Sequence, residues 1–111
     1  MQQVLPIMRK QKSGRIINIS SIGGLLGYPF SAAYCSTKFA LEGLSESLSY
    51  EVEPFGTRLI LIEPALIKNT NFHNNVKIAN KSDKSDSPYS RLMQRLFEAY
   101  QHIVAEYQKF Q

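Results

Sequence analysis

Tyr34 and Lys38 carry a phenol and an ammonium group and stand four residues apart. Residues at this spacing lie on one face of an α-helix, about 6 Å apart along its axis. A phenol ordinarily has a pKa near 10, and an ammonium about 4 Å away stabilises the ionised form by about 4 kcal/mol at an effective dielectric constant of about 20. The pair can therefore supply a general acid/base near neutral pH. The spacing alone is not specific, because it arises by chance on many helices.

Ser21 is a second candidate, thirteen residues before Tyr34 and separated from it by a glycine-rich loop. It follows a run of apolar residues, so we expect it at the carboxyl end of a strand, where open parallel sheets bind their ligands. The segment Pro64–Ile67 follows a second apolar run. Three segments are thus predicted to converge on one crevice. The alternative is that Ser21 is a plain turn serine that caps the loop.

The elements that must position these residues are predicted in the order strand, helix, strand. Apolar β-branched runs at 15–20 and 58–63 predict buried strands, and helical spacing of apolar residues predicts a helix at about 32–53. Residues 1–12 have the pattern of a helix end, which Gly14 is expected to break. Nearly continuous apolar strands joined by a helix indicate a βαβ unit in a parallel sheet covered on both faces.

After Pro64 the sequence predicts a long polar loop and then a helix. Asn, Ser, Asp and Lys dominate residues of about 69–89, which predicts the loop. Residues of about 90–109 are predicted to be helical. Their apolar stripe is more typical of a packing surface than of a cofactor site: Leu92, Leu96, Phe97, Tyr100, Ile103, Val104 and Tyr107. Two strands do not close a core at this size, so we expect further strands before residue 1.

The composition of the 111 residues limits the class of protein. With 43% hydrophobic and 20% charged residues, disorder throughout is excluded. We expect no membrane span, because no apolar run reaches about 18 residues, and no signal peptide. The single cysteine, Cys35, excludes an internal disulfide framework and favours a cytoplasmic location. His73 and His102 are expected to be surface residues, so we predict no metal site.

Four basic residues lie close together near the start of the chain: Arg9, Lys10, Lys12 and Arg15. Their four positive charges equal the net charge of the whole chain, +4, so the rest of the sequence is balanced. Such a cluster can bind nucleic acid or anionic lipid. A solvated helix end is the favoured interpretation, because cations complement the carboxyl end of a helix and no aromatic residues interleave with these. We therefore expect no nucleic-acid partner.

Three segments, Gly14–Gly24, Tyr34–Gly43 and Glu63–Ile67, together resemble the short-chain dehydrogenase/reductase family in their order and spacing. The resemblance covers residue 1 to about residue 72. Around Tyr34 the sequence is most similar to the branch of 17β-hydroxysteroid and retinol dehydrogenases. The resemblance implies an α/β fold with a Rossmann-type, doubly wound parallel sheet. The whole chain, 1–111, would then be the C-terminal part of one such domain, with its N-terminal half missing.

The resemblance also implies a role for each matching residue. Tyr34 would be the catalytic acid/base, in the Tyr-x-x-x-Lys motif of the family. Ser21 would hydrogen-bond the substrate carbonyl or hydroxyl, and Lys38 would favour the phenolate and bind the nicotinamide ribose. Tyr34, Pro64, Ile67 and Thr70 would also contact the cofactor, Ile67 through its backbone. The implied reaction is reversible hydride transfer between NAD or NADP and a small alcohol or carbonyl substrate, in a homo-oligomer when full length.

The sequence departs from the family pattern in three respects. Ala65 follows Pro64 where the family usually has glycine, and the spacing from Ile67 to Thr70 is one residue longer than usual. The glycine-rich loop and the Asn-Asn-Ala-Gly segment, which hold adenosine and pyrophosphate in the family, have no counterpart in these residues. We therefore expect the 111-residue chain alone neither to bind the dinucleotide nor to catalyse. The alternative function is a truncated, non-catalytic chain.

Overall fold

The computed structural model describes residues 1–67, 70, 71, 75 and 86–109, in two compact units, Met1–Ala65 and Leu66–Gln111. Helix α1 (Leu5–Gln11), strand β1 (Gly14–Ile19), helix α2 (Ala32–Val52) and strand β2 (Thr57–Ile62) form the first unit. Helix α3 (Ser90–Lys109) belongs to the second unit. The predicted order of strand, helix and strand is confirmed, and so is the last helix. Most of the predicted polar loop lies outside the described residues.

β1 and β2 form a parallel pair, in a register that runs from Gly14 opposite Thr57 to Ile19 opposite Ile62. The pairing continues past the ends of both strands. The Ser20 N–H donates to the Ile62 carbonyl at 2.7 Å, and the Ile22 N–H donates to the Pro64 carbonyl at 3.1 Å. Two adjacent parallel strands joined through a long helix make a partial Rossmann-like α/β fold.

Helix α2 packs on one face of this pair. The Asn18 side-chain amide donates to Ser45 Oγ at 2.9 Å, which ties β1 to the middle of α2. Ser45 is 1% exposed. Val52, at the end of the helix, and Thr57, at the start of β2, are also buried. The helix is thus fixed to the sheet at both its middle and its end, and its first turn is held near the carboxyl ends of the strands.

Within the described residues, one face of the strand pair is covered and the other is accessible, as expected for two strands without their neighbours; cover on both faces of the complete sheet stays a prediction. Exposure alternates along each strand, and Ile17 and Ile19 are 56% and 55% exposed. The register places them beside Ile60 and Ile62, which are also exposed. Consecutive strand residues point to opposite faces, and α2 covers the face that carries Asn18. The opposite face of the described sheet is therefore apolar and accessible.

The turn between α1 and β1 differs in detail from the sequence prediction. Helix α1 ends before Gly14, because Lys12 adopts the left-handed conformation with φ 51° and caps the helix through its N–H. Gly14 instead opens β1 and packs tightly against the Met8 side chain. Arg9 and Lys10 occupy the last turn of α1, which agrees with the helix-end interpretation of the basic residues. Arg9 also stacks over the Phe55 ring at 5.8 Å.

Helix α3 is amphipathic, and several members of its apolar stripe are accessible. Leu92, Phe97 and Ile103 are each about half exposed or more. The interpretation of this stripe as a packing surface stays a prediction. Within the part of the chain that the structure describes, no helix combines the length and apolar character needed to cross a membrane.

Candidate active site

Residues Ser20–Gly24 form a tight turn at the carboxyl end of β1, which we call the serine turn. Ser21 has extended backbone and caps a short 3-10 helix: its Oγ accepts a hydrogen bond from the Gly23 N–H at 3.1 Å. The Gly24 N–H donates to the Ser21 carbonyl at 2.8 Å. Ser21 thus makes the contact expected of a plain turn serine that caps the loop, which was the alternative interpretation. Its hydroxyl proton remains able to donate, because the capping bond uses only a lone pair of Oγ.

Tyr34 is half-buried on the first turn of α2 and faces the serine turn. Its Cε1 atom lies 3.0 Å from the point that a Cβ atom would occupy on Gly23. Gly23 therefore connects the two candidate residues, because its N–H holds the Ser21 hydroxyl while its Cα faces the Tyr34 ring. The structure brings Ser21 and Tyr34 together, as the sequence predicted.

Lys38 lies one helical turn after Tyr34 and reaches back to the sheet. Its Nζ donates to the Ile19 carbonyl at 2.9 Å and lies 5.8 Å from the centroid of the Tyr34 ring. The ammonium group is thus anchored at the last residue of β1, beside the phenol. An ammonium has three donors, and this bond uses one of them. Two remain for a ligand hydroxyl or another acceptor.

Sequence reasoning missed Tyr28, a second phenol beside the serine turn. Its Oη lies 3.2 Å from the point that a Cβ atom would occupy on Gly23. Burial raises the pKa of Tyr28 above the ordinary value, the neighbouring Cys35 and Tyr34 raise it further, and a hydrogen bond with Ser31 opposes the rise. No motif spacing could have identified this residue, since its position depends on the path of the loop.

Ser20 and Glu42 form another contact that the sequence did not predict. Ser20 Oγ and Glu42 Oε1 are buried, and neither has a hydrogen-bond partner among the described residues. Both lie within 3.0 Å of the point that a Cβ atom would occupy on Gly24. Glu42 follows Lys38 by four residues, so the helical face that carries Tyr34 and Lys38 was a usable signal for it.

The remaining predicted site residues follow β2. Pro64 accepts the bond from the Ile22 N–H, so it lies against the serine turn as expected. Ile67 and Thr70 belong to the second unit, and both are exposed. Their assignment as cofactor ligands stays a prediction. Lys68 and Asn69, which lengthen the segment between them, lie outside the described residues.

The arrangement is suited to proton transfer beside a bound ligand. A half-buried phenol, an ammonium one turn away and a serine hydroxyl meet where the two parallel strands end. Parallel α/β sheets bind their ligands at this end. The described residues include no group of three or more His, Cys, Asp or Glu side chains arranged to hold a metal ion.

Comparison with known proteins gives the family. The model of the family described as short chain dehydrogenase matches residues 1–81. A 3-ketodihydrosphingosine reductase from Bacteroides thetaiotaomicron is 46% identical over 83 residues, covering 75% of this chain and 30% of the relative. Estradiol 17-beta-dehydrogenase 1 from Rattus norvegicus is 37% identical over 109 residues, covering 98% of this chain and 29% of the relative.

A solved structure gives the same result for the fold. ElxO with NADP bound is 34% identical, with a TM-score of 0.62, over 78% of this chain and 34% of that one. The chain spans about 30% of the length of the two curated relatives. The matched region contains the serine turn, α2 and both strands. The chain therefore belongs to the short-chain dehydrogenase family.

Proposed function

We propose that this protein is an NAD- or NADP-dependent oxidoreductase that interconverts an alcohol and a carbonyl compound, with Tyr34 as the acid/base. One observation carries the proposal. Gly23 holds the Ser21 hydroxyl on its N–H and has the Tyr34 ring against its Cα, with the Lys38 ammonium 5.8 Å from the ring centroid. A donor, a candidate acid/base and a cation thus lie close together at the carboxyl end of β1.

Each of these side chains has a separate role in the proposal. Tyr34 gives a proton at Oη to the carbonyl oxygen during reduction and takes it back during oxidation. Ser21 donates a hydrogen bond to the same substrate oxygen and stabilises the charge that develops there. Lys38 places a positive charge 5.8 Å from the centroid of the Tyr34 ring, which favours the negative charge that develops as the proton is transferred. Its bond to the Ile19 carbonyl keeps the ammonium in place without a partner carboxylate.

The residues also fit the nicotinamide end of a dinucleotide. Lys38 has two free donors at the carboxyl end of β1, and Pro64 lies beside the serine turn. Lys38 would bind the ribose hydroxyls, while Pro64, Ile67 and Thr70 would line the nicotinamide. When bound, the cofactor supplies or accepts the hydride. NAD and NADP both remain candidates, because these residues contact neither the adenosine nor its 2′ position in the proposal.

Relatives support the type of substrate but not its identity. One is named as a reductase of 3-ketodihydrosphingosine, a ketone, and another as a dehydrogenase of estradiol, an alcohol. Both names describe interconversion of an alcohol and a ketone on a largely apolar molecule. The chain spans about 30% of each, so the activity of the whole protein is part of the proposal.

Isothermal titration of the full-length protein with NADH and NADPH tests the cofactor role of Lys38. The Lys38→Met variant keeps most of the side-chain volume and removes the ammonium, so we expect the dissociation constant to rise about 10-fold or more. Tyr34→Phe should change it much less. Lys10→Met, which removes an exposed ammonium on α1, is the matched control. Unchanged affinity in Lys38→Met would contradict the assignment.

A further inference from the structure

Tyr28 and Tyr34 approach the same glycine from the loop and from α2. Tyr28 Oη and Cε1 lie 3.2 Å and 3.3 Å from the point that a Cβ atom would occupy on Gly23, and Tyr34 Cε1 lies 3.0 Å from it. Two phenols therefore border one small space beside Ser21. The reaction proposed above uses one phenol, which leaves the second without a role.

Tyr28 keeps its proton at neutral pH, whereas a catalytic acid/base must release and regain one. Burial, and then Cys35 and Tyr34, raise its pKa above the ordinary value near 10, although a hydrogen bond with Ser31 opposes the rise. The hydroxyl of Tyr28 is therefore protonated throughout the neutral range. It can donate a hydrogen bond there, but it does not release its proton. Such a group binds a ligand oxygen and leaves the chemistry to its neighbour.

The loop around Tyr28 is apolar and accessible. Leu25, Leu26 and Phe30 are 53%, 61% and 47% exposed, and Tyr28 itself is 41% exposed. All four lie between the serine turn and α2. Ligand sites combine an apolar lining with a few polar groups that fix orientation, and the Tyr28 hydroxyl is such a polar group on this loop. The loop suits a ligand with an apolar body and an oxygen close to the reacting carbon.

We propose that Tyr28 is a specificity-determining residue, which donates a hydrogen bond to a hydroxyl oxygen on the carbon next to the reacting one. The preferred substrates are then α-hydroxy ketones, and the vicinal diols that correspond to them, with an apolar body. Two neighbouring phenols bind two neighbouring oxygens, Tyr34 the reacting one and Tyr28 the other. This inference rests on the proposed function, because it needs Tyr34 at the reacting oxygen.

Kinetics of the full-length protein with two matched ketones test the inference. The probes are 2-hydroxyacetophenone and acetophenone, which differ only by the α-hydroxyl. We expect the wild-type protein to have the higher kcat/KM for the hydroxylated ketone. In Tyr28→Phe that preference should fall about 5- to 10-fold, the effect of one hydrogen bond, through KM rather than kcat. The α-hydroxyl also activates the carbonyl, but this effect cancels when the two proteins are compared.

Two controls separate this result from a general loss of structure. Tyr50→Phe removes a phenol that is 68% exposed, sixteen residues further along α2 and about 24 Å from Tyr34. It should keep the wild-type preference. In Tyr28→Phe, kcat/KM should fall more for 2-hydroxyacetophenone than for acetophenone, since acetophenone offers no second oxygen. As a readout of binding, 1-phenyl-1,2-ethanediol should inhibit acetophenone reduction by Tyr28→Phe less strongly than reduction by the wild type, and inhibition by 1-phenylethanol should change less.

Three outcomes would overturn the inference. They are an unchanged preference in Tyr28→Phe, equal kcat/KM for the two ketones in the wild type, and no turnover of 2-hydroxyacetophenone by a protein that reduces acetophenone. Failure of the proposed function gives a different result, because Tyr34→Phe would then keep its activity on every substrate. The two ideas are therefore tested separately.

Discussion

At the scale of single residues, the candidate site depends on Gly23. Its N–H holds Ser21, and both Tyr34 and Tyr28 approach within 3.3 Å of the space where a side chain would begin. The sequence predicted Tyr34, Lys38 and Ser21 because their spacing follows from helix geometry and from the position of strand ends. It did not predict Tyr28, whose place depends on a loop that turns at Phe30 with φ 61°. Residues other than glycine rarely adopt that conformation, and no local pattern indicates it.

Tyr28 should ionise at a higher pH than a fully solvated tyrosine, although its side chain is only partly buried. Burial and its neighbours raise its pKa, so in the pH range above 10 the unfolded chain releases this proton before the folded protein does. Tyr28 therefore lowers the free energy of unfolding as pH rises from the ordinary value to the raised one. NMR titration of tyrosine ring carbons, with Tyr28→Phe to assign the signal, measures this. A Tyr28 midpoint at or below the ordinary tyrosine value near 10 would contradict the assignment.

At the scale of elements, the strand–helix–strand unit was predictable, but the face of the strands on which α2 packs was not. Nearly continuous apolar runs and the helical spacing of 32–53 predicted β1, α2 and β2 to within one or two residues. Apolar content alone does not say which face a strand covers. Ile17 and Ile19 are exposed because α2 packs on the face of Asn18. The bond from Lys38 to the Ile19 carbonyl also needs the three-dimensional structure, since it joins residues 19 apart in sequence.

The close packing of the serine turn against α2 can be tested by substituting Gly23. Gly23→Ala adds a Cβ atom 3.0 Å from the Tyr34 ring and 3.2 Å from Tyr28 Oη, so the rings must shift. We expect the protein to fold, with about 1–3 kcal/mol lost in the free energy of unfolding and turnover reduced about 10-fold or more because the phenol is displaced. Gly27→Ala is the matched control, since nothing lies within 4 Å of its added methyl group. Turnover of Gly23→Ala equal to that of Gly27→Ala would show that the close approach is unimportant.

At the scale of the whole molecule, α2 carries a surface suited to self-association. Phe39, Gly43 and Ser47 follow one another at four-residue spacing and all are exposed, and nothing lies within 4 Å of a Cβ on Gly43. Next to the end of α2, helix α1 borders a cleft of about 350 Å³ lined by Leu5, Pro6, Arg9, Leu48, Val52 and Phe55 among others. We expect the full-length protein to form a homo-oligomer through these helices.

Light scattering of the full-length protein at micromolar concentration measures this prediction. Gly43→Arg places a long charged side chain where two helices would approach closely, so it should lower the mass towards that of the monomer. Gly43→Ala should leave the mass unchanged and favour the helix by about 0.5–1 kcal/mol, because alanine is the better helix former. A monomeric wild-type protein would contradict the prediction.

The inactivity of the isolated 111-residue chain also stays a prediction.

Turnover of the Tyr34→Phe variant tests the central claim most directly. The substitution removes the transferable proton and keeps the ring against Gly23, so the fold should be preserved. With NADH or NADPH oxidation followed by absorbance in the full-length protein, we expect kcat to fall about 100-fold or more. Tyr50→Phe should retain wild-type turnover. A Tyr34→Phe variant with near-normal kcat would contradict the account, because Tyr34 would then not be the acid/base.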